Sequence, residues 1–415
     1  MSVAWRLLKL SFLCCLTSLT VVAHGAQALS IDTQVRLIGG YLPQGSEANL
    51  PEVLQITQSP AWRQASAAGS MAAIMRKSPG YFSAASIAQM QSFFLKNATA
   101  ASNESQSVLY FFGGADALYP SVVFPNMTKL LIVGLENPGQ ISDAAQLSAN
   151  GTLTSQMQQV ATAYRDLVQV SFFLTKHMSQ DLQQFGTATM IAVGIVARGN
   201  TILSEQTVSL DKQGQIVTGG SGRVRGIQIQ YAKPNGQQAE VIYFGMDLSD
   251  ANLKTKPEFA AYISAAHFDT AFYKAASYVS YHHGFENLNR LVLGNVRHVI
   301  ENDDGIPFSS LRENAAQWSL KLFGHYSTPS VLFGSHVDED LLTAYDQALC
   351  PSAGADDLAI WKRQWPKACT RPATNFGFAS LTWNGTLPFR YGYTWQTGAS
   401  PVKAKFSNLL VLDRQ

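Results

Sequence analysis

Six residues in this chain have the types and positions to do chemistry: Asp116, Glu136, Lys274, His282, Asp303 and Asp304. Asp116 follows an apolar run at 108–112 and the pair Gly113-Gly114. Glu136 ends a second apolar run at 129–135, and Asp303-Asp304 follow a strand-like stretch at 297–302. Lys274 is embedded in an apolar stretch that reaches His282-His283. Carboxylates beside a histidine can bind a hard or borderline metal ion, or act as general acid and base. Ligands of α/β sheets gather beyond the carboxyl ends of strands. Asp116, Glu136 and the Asp303/Asp304 pair all stand at such ends if these three stretches are strands. Each also has a structural reading. Asp303-Asp304-Gly305 is a turn sequence in its own right, as is Gly-Gly-x-Asp at Asp116. Glu136 could satisfy backbone donors in its loop. His282-His283 could favour the negative end of a helix, and Lys274 could be a surface lysine with its stem laid on apolar surface.

The elements that must position these residues centre on 107–139, SVLYFFGGADALYPSVVFPNMTKLLIVGLENPG. An apolar run, a glycine turn, a helix-compatible crossover at 117–124 and a second apolar run give the outline of a nucleotide-binding βαβ unit. The turn reads G-G-A-D, which puts Asp116 where a cofactor site needs close backbone approach. A carboxylate there repels a pyrophosphate, and Pro120 limits the crossover helix. The unit therefore predicts a fold and assigns no cofactor. The sequence names no metal either.

The two ends of the chain bear on its location. Arg6 and Lys9 precede an apolar stretch at 10–22, and Ala26-Gln27-Ala28 is an A-x-A cleavage signal. Residues 1–28 read as a secretory signal peptide, with a mature chain in the periplasm or outside the cell. The apolar stretch is short for a bilayer span, so no transmembrane span is expected in the mature chain. Cleavage removes Cys14 and Cys15 and leaves Cys350 and Cys369, which in an oxidising compartment read as one disulfide. Of 415 residues, 46% are hydrophobic and 14% charged, ample for a large core. A formal net charge of +2 with no basic block argues against nucleic acid as a partner.

Residues 29–54 read as loops and short pieces, and 59–97 as helices separated at Ser78-Pro79-Gly80. Leu153, Met157, Val160, Tyr164 and Leu167 fall on one helical face. Ser179 reads as the cap of a shorter helix. The runs 189–198 and 201–210 read as a hairpin through Gly199-Asn200, and 223–232 and 239–246 as a second through Lys233–Gly236. From Pro257 the chain reads as helical again, including 272–283 around Lys274 and Ser277, and 288–293. Trp318, Tyr326, Trp383, Phe389, Tyr391, Tyr393 and Trp395 are either core or a platform for sugar rings. The predicted fold is α/β: a Rossmann-like mixed sheet flanked by helices, with antiparallel hairpins. Residues 29–106 form an N-terminal helical segment ahead of an α/β domain at 107–415.

No G-x-S-x-G elbow, H-E-x-x-H or P-loop is present. Three phrases resemble a family of secreted bacterial proteins of uncharacterised function: FFGGADALYPSVVFPN with IVGLENPG, FYKAASYVSYHHGF, and IENDDGIPF with LFGHYSTPSVLF. That resemblance implies secretion and a shared fold. The βαβ phrase is also similar, more faintly, to the first motif of class I methyltransferases, with a broken glycine pattern. Two functions are expected from different classes. One is an exported hydrolase acting on a small molecule or glycan. The other is a non-catalytic binding or envelope-associated protein on an enzyme-like fold. Convergence of Asp116, Glu136, His282 and Asp303 or Asp304 on one pocket discriminates between them.

Overall fold

A computed structural model of the chain describes residues 28–77, 83–170, 186–276, 279–327, 337–389, 391–392 and 407–415. Residues 1–27 of the expected signal segment, the Ser78-Pro79-Gly80 break, the Ser179 cap, Ser277, Tyr393 and Trp395 lie outside these residues.

Eleven strands form one sheet. They are β1 (Ser107–Phe111), β2 (Lys129–Gly134), β3 (Thr201–Leu210), β4 (Ile216–Thr218), β5 (Arg225–Ala232), β6 (Gln238–Gly245), β7 (Thr270–Phe272), β8 (His298–Glu301), β9 (Trp318–Gly324), β10 (Ser380–Trp383) and β11 (Asn408–Arg414). Their order is β10-β9-β11-β8-β7-β1-β2-β6-β5-β3-β4. The middle of the sheet, β6-β2-β1-β7-β8, is parallel. Ranked along the chain, those strands stand third, second, first, fourth and fifth, the doubly wound order, with its switch point between β1 and β7. Antiparallel pairing takes over on both sides, through β5 and β3 at one edge and β11 at the other. The fold is thus the expected α/β mixed sheet.

Consecutive residues of the central strands feed two different cores, as a strand covered on both faces requires. Val108, Tyr110, Leu130 and Ile132 join the core beneath the N-terminal helices, while Leu109, Phe111, Leu131 and Val133 join the opposite one. The β5–β6 hairpin forms as expected, with Ile227, Ile229 and Tyr231 buried on one face. The amphipathic helix is Leu153–Val170, and its five apolar stripe residues are all buried. Among the described residues no helix is long and apolar enough to cross a membrane.

Three sequence expectations fail. The run at 189–198 is no strand, because Gly186–Ala197 is a helix and only β3 follows Gly199-Asn200. That helix is buried from Gly186 through Val196. An all-round apolar run of this kind has no period to separate buried helix from buried strand. Within 29–54, Ile31–Gly39 is a capped helix: Ser30 accepts from the Thr33 amide, and Gly40 ends it in the left-handed region at φ 77°. The stretch 272–283 is not a helix either. Residues 270–272 pair with β1 and β8, and Ala275 takes φ 58°, which no right-handed helix accommodates.

Candidate functional site

The carboxyl ends of β1 and β7 meet at the switch point, where a doubly wound sheet ordinarily opens to a ligand. Here the chain's own side chains fill it. A Cβ added to Gly113 would lie 2.2 Å from the Tyr110 ring, so the open face of the glycine turn is taken by that ring. Tyr110 Oη donates to Asp116 Oδ2 at 2.9 Å. The other oxygen of Asp116 accepts the amides of Leu118 and Tyr119, both at 3.0 Å, and so starts the Leu118–Val123 helix. Lys274 Nζ, from the segment after β7, lies 3.4 Å from Asp116 Oδ2 and 3.8 Å from the centre of the Tyr119 ring. The two charged side chains are 0–1% exposed. Burial depresses the Lys274 pKa, against the pull of Asp116 and Asp304.

Asp303 and Asp304 extend this cluster beyond β8. Asp304 accepts the Ala276 amide at 2.6 Å, and Asn302 bridges the two carboxyls at 2.7 and 3.2 Å. Asn408 on β11 exchanges a second pair of bonds with Asp303. Burial, then the Asp303 charge, pushes Asp304 up to about 8. Glu301 beside them is held well above the carboxylate range, first by burial. These bonds hold Ala275 in its left-handed conformation, since Asn302 accepts its amide and Asp304 the next one.

Of the six sequence candidates, Asp116, Lys274 and the Asp303/Asp304 pair therefore come together, and all are buried. Lys274 is no surface lysine. Glu136 stands apart: Tyr243 on β6 donates to its carbonyl and carboxylate at 3.0 and 3.1 Å, on the side of β2 away from β1. His282 is exposed and lines a different feature.

That feature is a cleft of about 550 Å³ formed by the segments after β7, β8 and β9. Tyr281, His282, His283, Ser309 and Ser310 line it, together with four carboxylates: Glu286, Asp338, Glu339 and Asp340. Asp338 caps the Glu339–Leu349 helix, and Arg312 pairs with Asp340. Asn289 also lines the cleft, 2% exposed. Its amide oxygen is buried and has no hydrogen-bond partner among the described residues. Tyr281 ties the cleft to the buried acids. Burial, then the charge of Asp338, with Asp303 and Glu301 further down, raises its phenol well above the usual value.

No family model, curated protein or solved structure matches this chain.

Sequence reasoning missed Asn289, Glu286 and Asp338. Asn289 carried a signal: it sits between Leu288 and Val292 on the buried face of the Glu286–Asn295 helix, where an apolar residue belongs. The acidic group Asp346, Cys350 and Cys369 is no metal site, because the cysteines are bonded to each other at 2.02 Å. Asp346 instead accepts Trp361 Nε1 and the Cys369 amide.

Proposed function

We propose that this chain is an exported, non-catalytic binding protein on an enzyme-like doubly wound fold, and that its ligand is a small organic cation held in the acidic cleft. The observation that carries the reading is the unpartnered amide oxygen of Asn289 in a cleft lined by Glu286, Asp338, Glu339 and Asp340. A buried acceptor without a donor costs about 1–3 kcal/mol, and a ligand N–H group relieves that cost. Carboxylates around it favour a donor that is charged, an ammonium or guanidinium. A bare metal ion fits less well. Among the described residues, no three carboxylate or imidazole groups of this cleft lie within 4.8 Å of one another, whereas calcium wants six to eight oxygens at about 2.3–2.6 Å.

Catalysis through the switch point is disfavoured by its contents. Asp116 and Lys274 are sealed from solvent and spent on each other, and Tyr110 covers the glycine turn. The same packing speaks against extending the methyltransferase resemblance to an activity. The cleft does hold serines and histidines, yet no hydrogen bond joins Ser309 or Ser310 to His282 or His283 among the described contacts. Export rests on the N-terminal signal, and the Cys350–Cys369 bond is compatible with it.

The test is a thermal-shift screen of the mature protein against putrescine, spermidine and agmatine at low ionic strength, beside a panel of chromogenic esters and glycosides. The reading expects stabilisation by the cations, lost in Glu339→Gln/Asp340→Asn, and no turnover. Hydrolysis that survives purification, abolished by Ser309→Ala or His282→Ala, would replace it with the hydrolase reading.

A further inference from the structure

A second cleft, of about 310 Å³, opens on the opposite end of the sheet. It lies where the chain enters β2 and β3 and where the β5–β6 hairpin turns. Its chemistry is the reverse of the first. Arg198 and Lys233 line it, and no carboxylate does.

The two cations differ in how they are held. Lys233 Nζ donates to the Pro125 carbonyl at 2.9 Å and to Gln237 Oε1 at 3.0 Å, which fixes it in the wall. Arg198 follows the buried Gly186–Ala197 helix and is half-buried. Its guanidinium has no hydrogen-bond or ionic partner among the described residues. Burial is the sole influence that lowers either group, and no acidic neighbour offsets it. A half-buried guanidinium without a counter-ion is uncommon, because such groups are ordinarily paired. Its planar fork matches carboxylate and phosphate oxygens. The remainder of the wall is amide and apolar: Asn200 and Asn235 offer donors, and Phe124, Met127 and Tyr231 form a buried apolar floor.

We infer that this cleft binds a small organic anion, with its carboxylate or phosphate head on Arg198 and Lys233 and an apolar body on the Phe124–Tyr231 floor. The inference stands on residues remote from the acidic cleft and does not depend on the function proposed above. The fixed Lys233 supplies the point charge and Arg198 the directional bonds. The apolar floor selects against a bare inorganic ion.

Isothermal titration calorimetry of the mature protein with phenyl phosphate, benzoate and inorganic phosphate, at low ionic strength, tests it. Saturable binding of phenyl phosphate or benzoate is expected. Arg198→Gln should weaken it at least about tenfold, the loss for one charge-assisted pair, and Arg198→Lys should recover part of that loss. Arg198→Gln should not lower the melting temperature, since the Arg198 guanidinium has no other partner among the described residues. No saturable binding of either organic anion at millimolar concentration overturns the inference. So does equal binding by Arg198→Gln. Inorganic phosphate binding as tightly as phenyl phosphate overturns the apolar-body assignment.

Discussion

Replacing Lys274 by Met should destabilise the fold by about 3 kcal/mol. Asp116 and Lys274 face each other at 3.4 Å with essentially no solvent contact. Removing one partner of such a pair costs about 3–5 kcal/mol, because the other charge is left buried and uncompensated. The low end applies here, since Asp116 keeps three donors: the Tyr110 hydroxyl and the amides of Leu118 and Tyr119. Asp116→Asn should cost less, about 1–3 kcal/mol, the range for disturbing a charged buried hydrogen bond. An asparagine oxygen still accepts the helix amides, and the Lys274 ammonium, already depressed by burial, can lose its proton. The double variant Asp116→Asn/Lys274→Met removes both charges and should lose clearly less than the sum of the two single losses. Urea unfolding followed by circular dichroism gives all three values. A Lys274→Met variant within about 0.5 kcal/mol of wild type, the range of an ordinary surface change, would refute the claim that this pair plugs the fold. Additive losses in the double variant would refute the coupling.

Asp304 makes stability depend on pH. Its folded-state pKa is raised to about 8, whereas in the unfolded chain it is about 3.9. The fold therefore holds a proton that the unfolded chain releases, so this contribution is full below about pH 4 and is lost as pH rises through about 8. Glu301 acts in the same direction. Urea midpoints measured from pH 5 to pH 8 should fall, and Asp304→Asn should flatten the slope; an unchanged slope would count against a protonated Asp304. Gly113→Ala forces a Cβ into the Tyr110 ring and should cost about 1–3 kcal/mol, as overpacking does; a neutral result in urea unfolding would mean that the turn has room to spare. Cys350→Ser/Cys369→Ser opens a loop with a sequence separation of 19 and should cost about 3 kcal/mol on the chain-entropy account, read as a lower urea midpoint, and two free thiols in the oxidised wild-type protein would contradict the bond.

Much of the fold was legible, for local reasons. The runs at 108–112 and 129–135 are short and apolar and end at turn residues, and they are central strands. The β5–β6 hairpin announced itself by alternation around Lys233-Pro234-Asn235-Gly236. What failed depended on long-range packing. The 186–197 helix has apolar residues all round, so period could not separate it from a strand. The 272–283 stretch looked helical because it is apolar around Lys274 and Ser277 and stops at Gly284. The burial of Lys274 comes from Asp116, more than 150 positions earlier, and Ala275 bends because Asn302 and Asp304 accept its amide and the next. The site was half legible. Asp116, Asp303 and Asp304 were singled out by their places at the ends of strand-like runs and Lys274 by its place inside an apolar stretch, and the four do cluster, but as a sealed plug. Glu136 shares the same local pattern, yet Tyr243 draws it to the other side of β2. The cleft carboxylates come from two separate connections, after β7 and after β9, which only the sheet order brings together.

Calorimetric titration of wild type and Asn289→Leu with spermidine tests the central claim most directly. Leucine removes an acceptor that lacks a partner, so the unliganded variant should be at least as stable as wild type, with spermidine affinity reduced about tenfold or more for one charge-assisted hydrogen bond. The reverse pattern, a variant that unfolds more easily and binds spermidine as wild type does, or a wild type that binds no cation at all, would contradict the account.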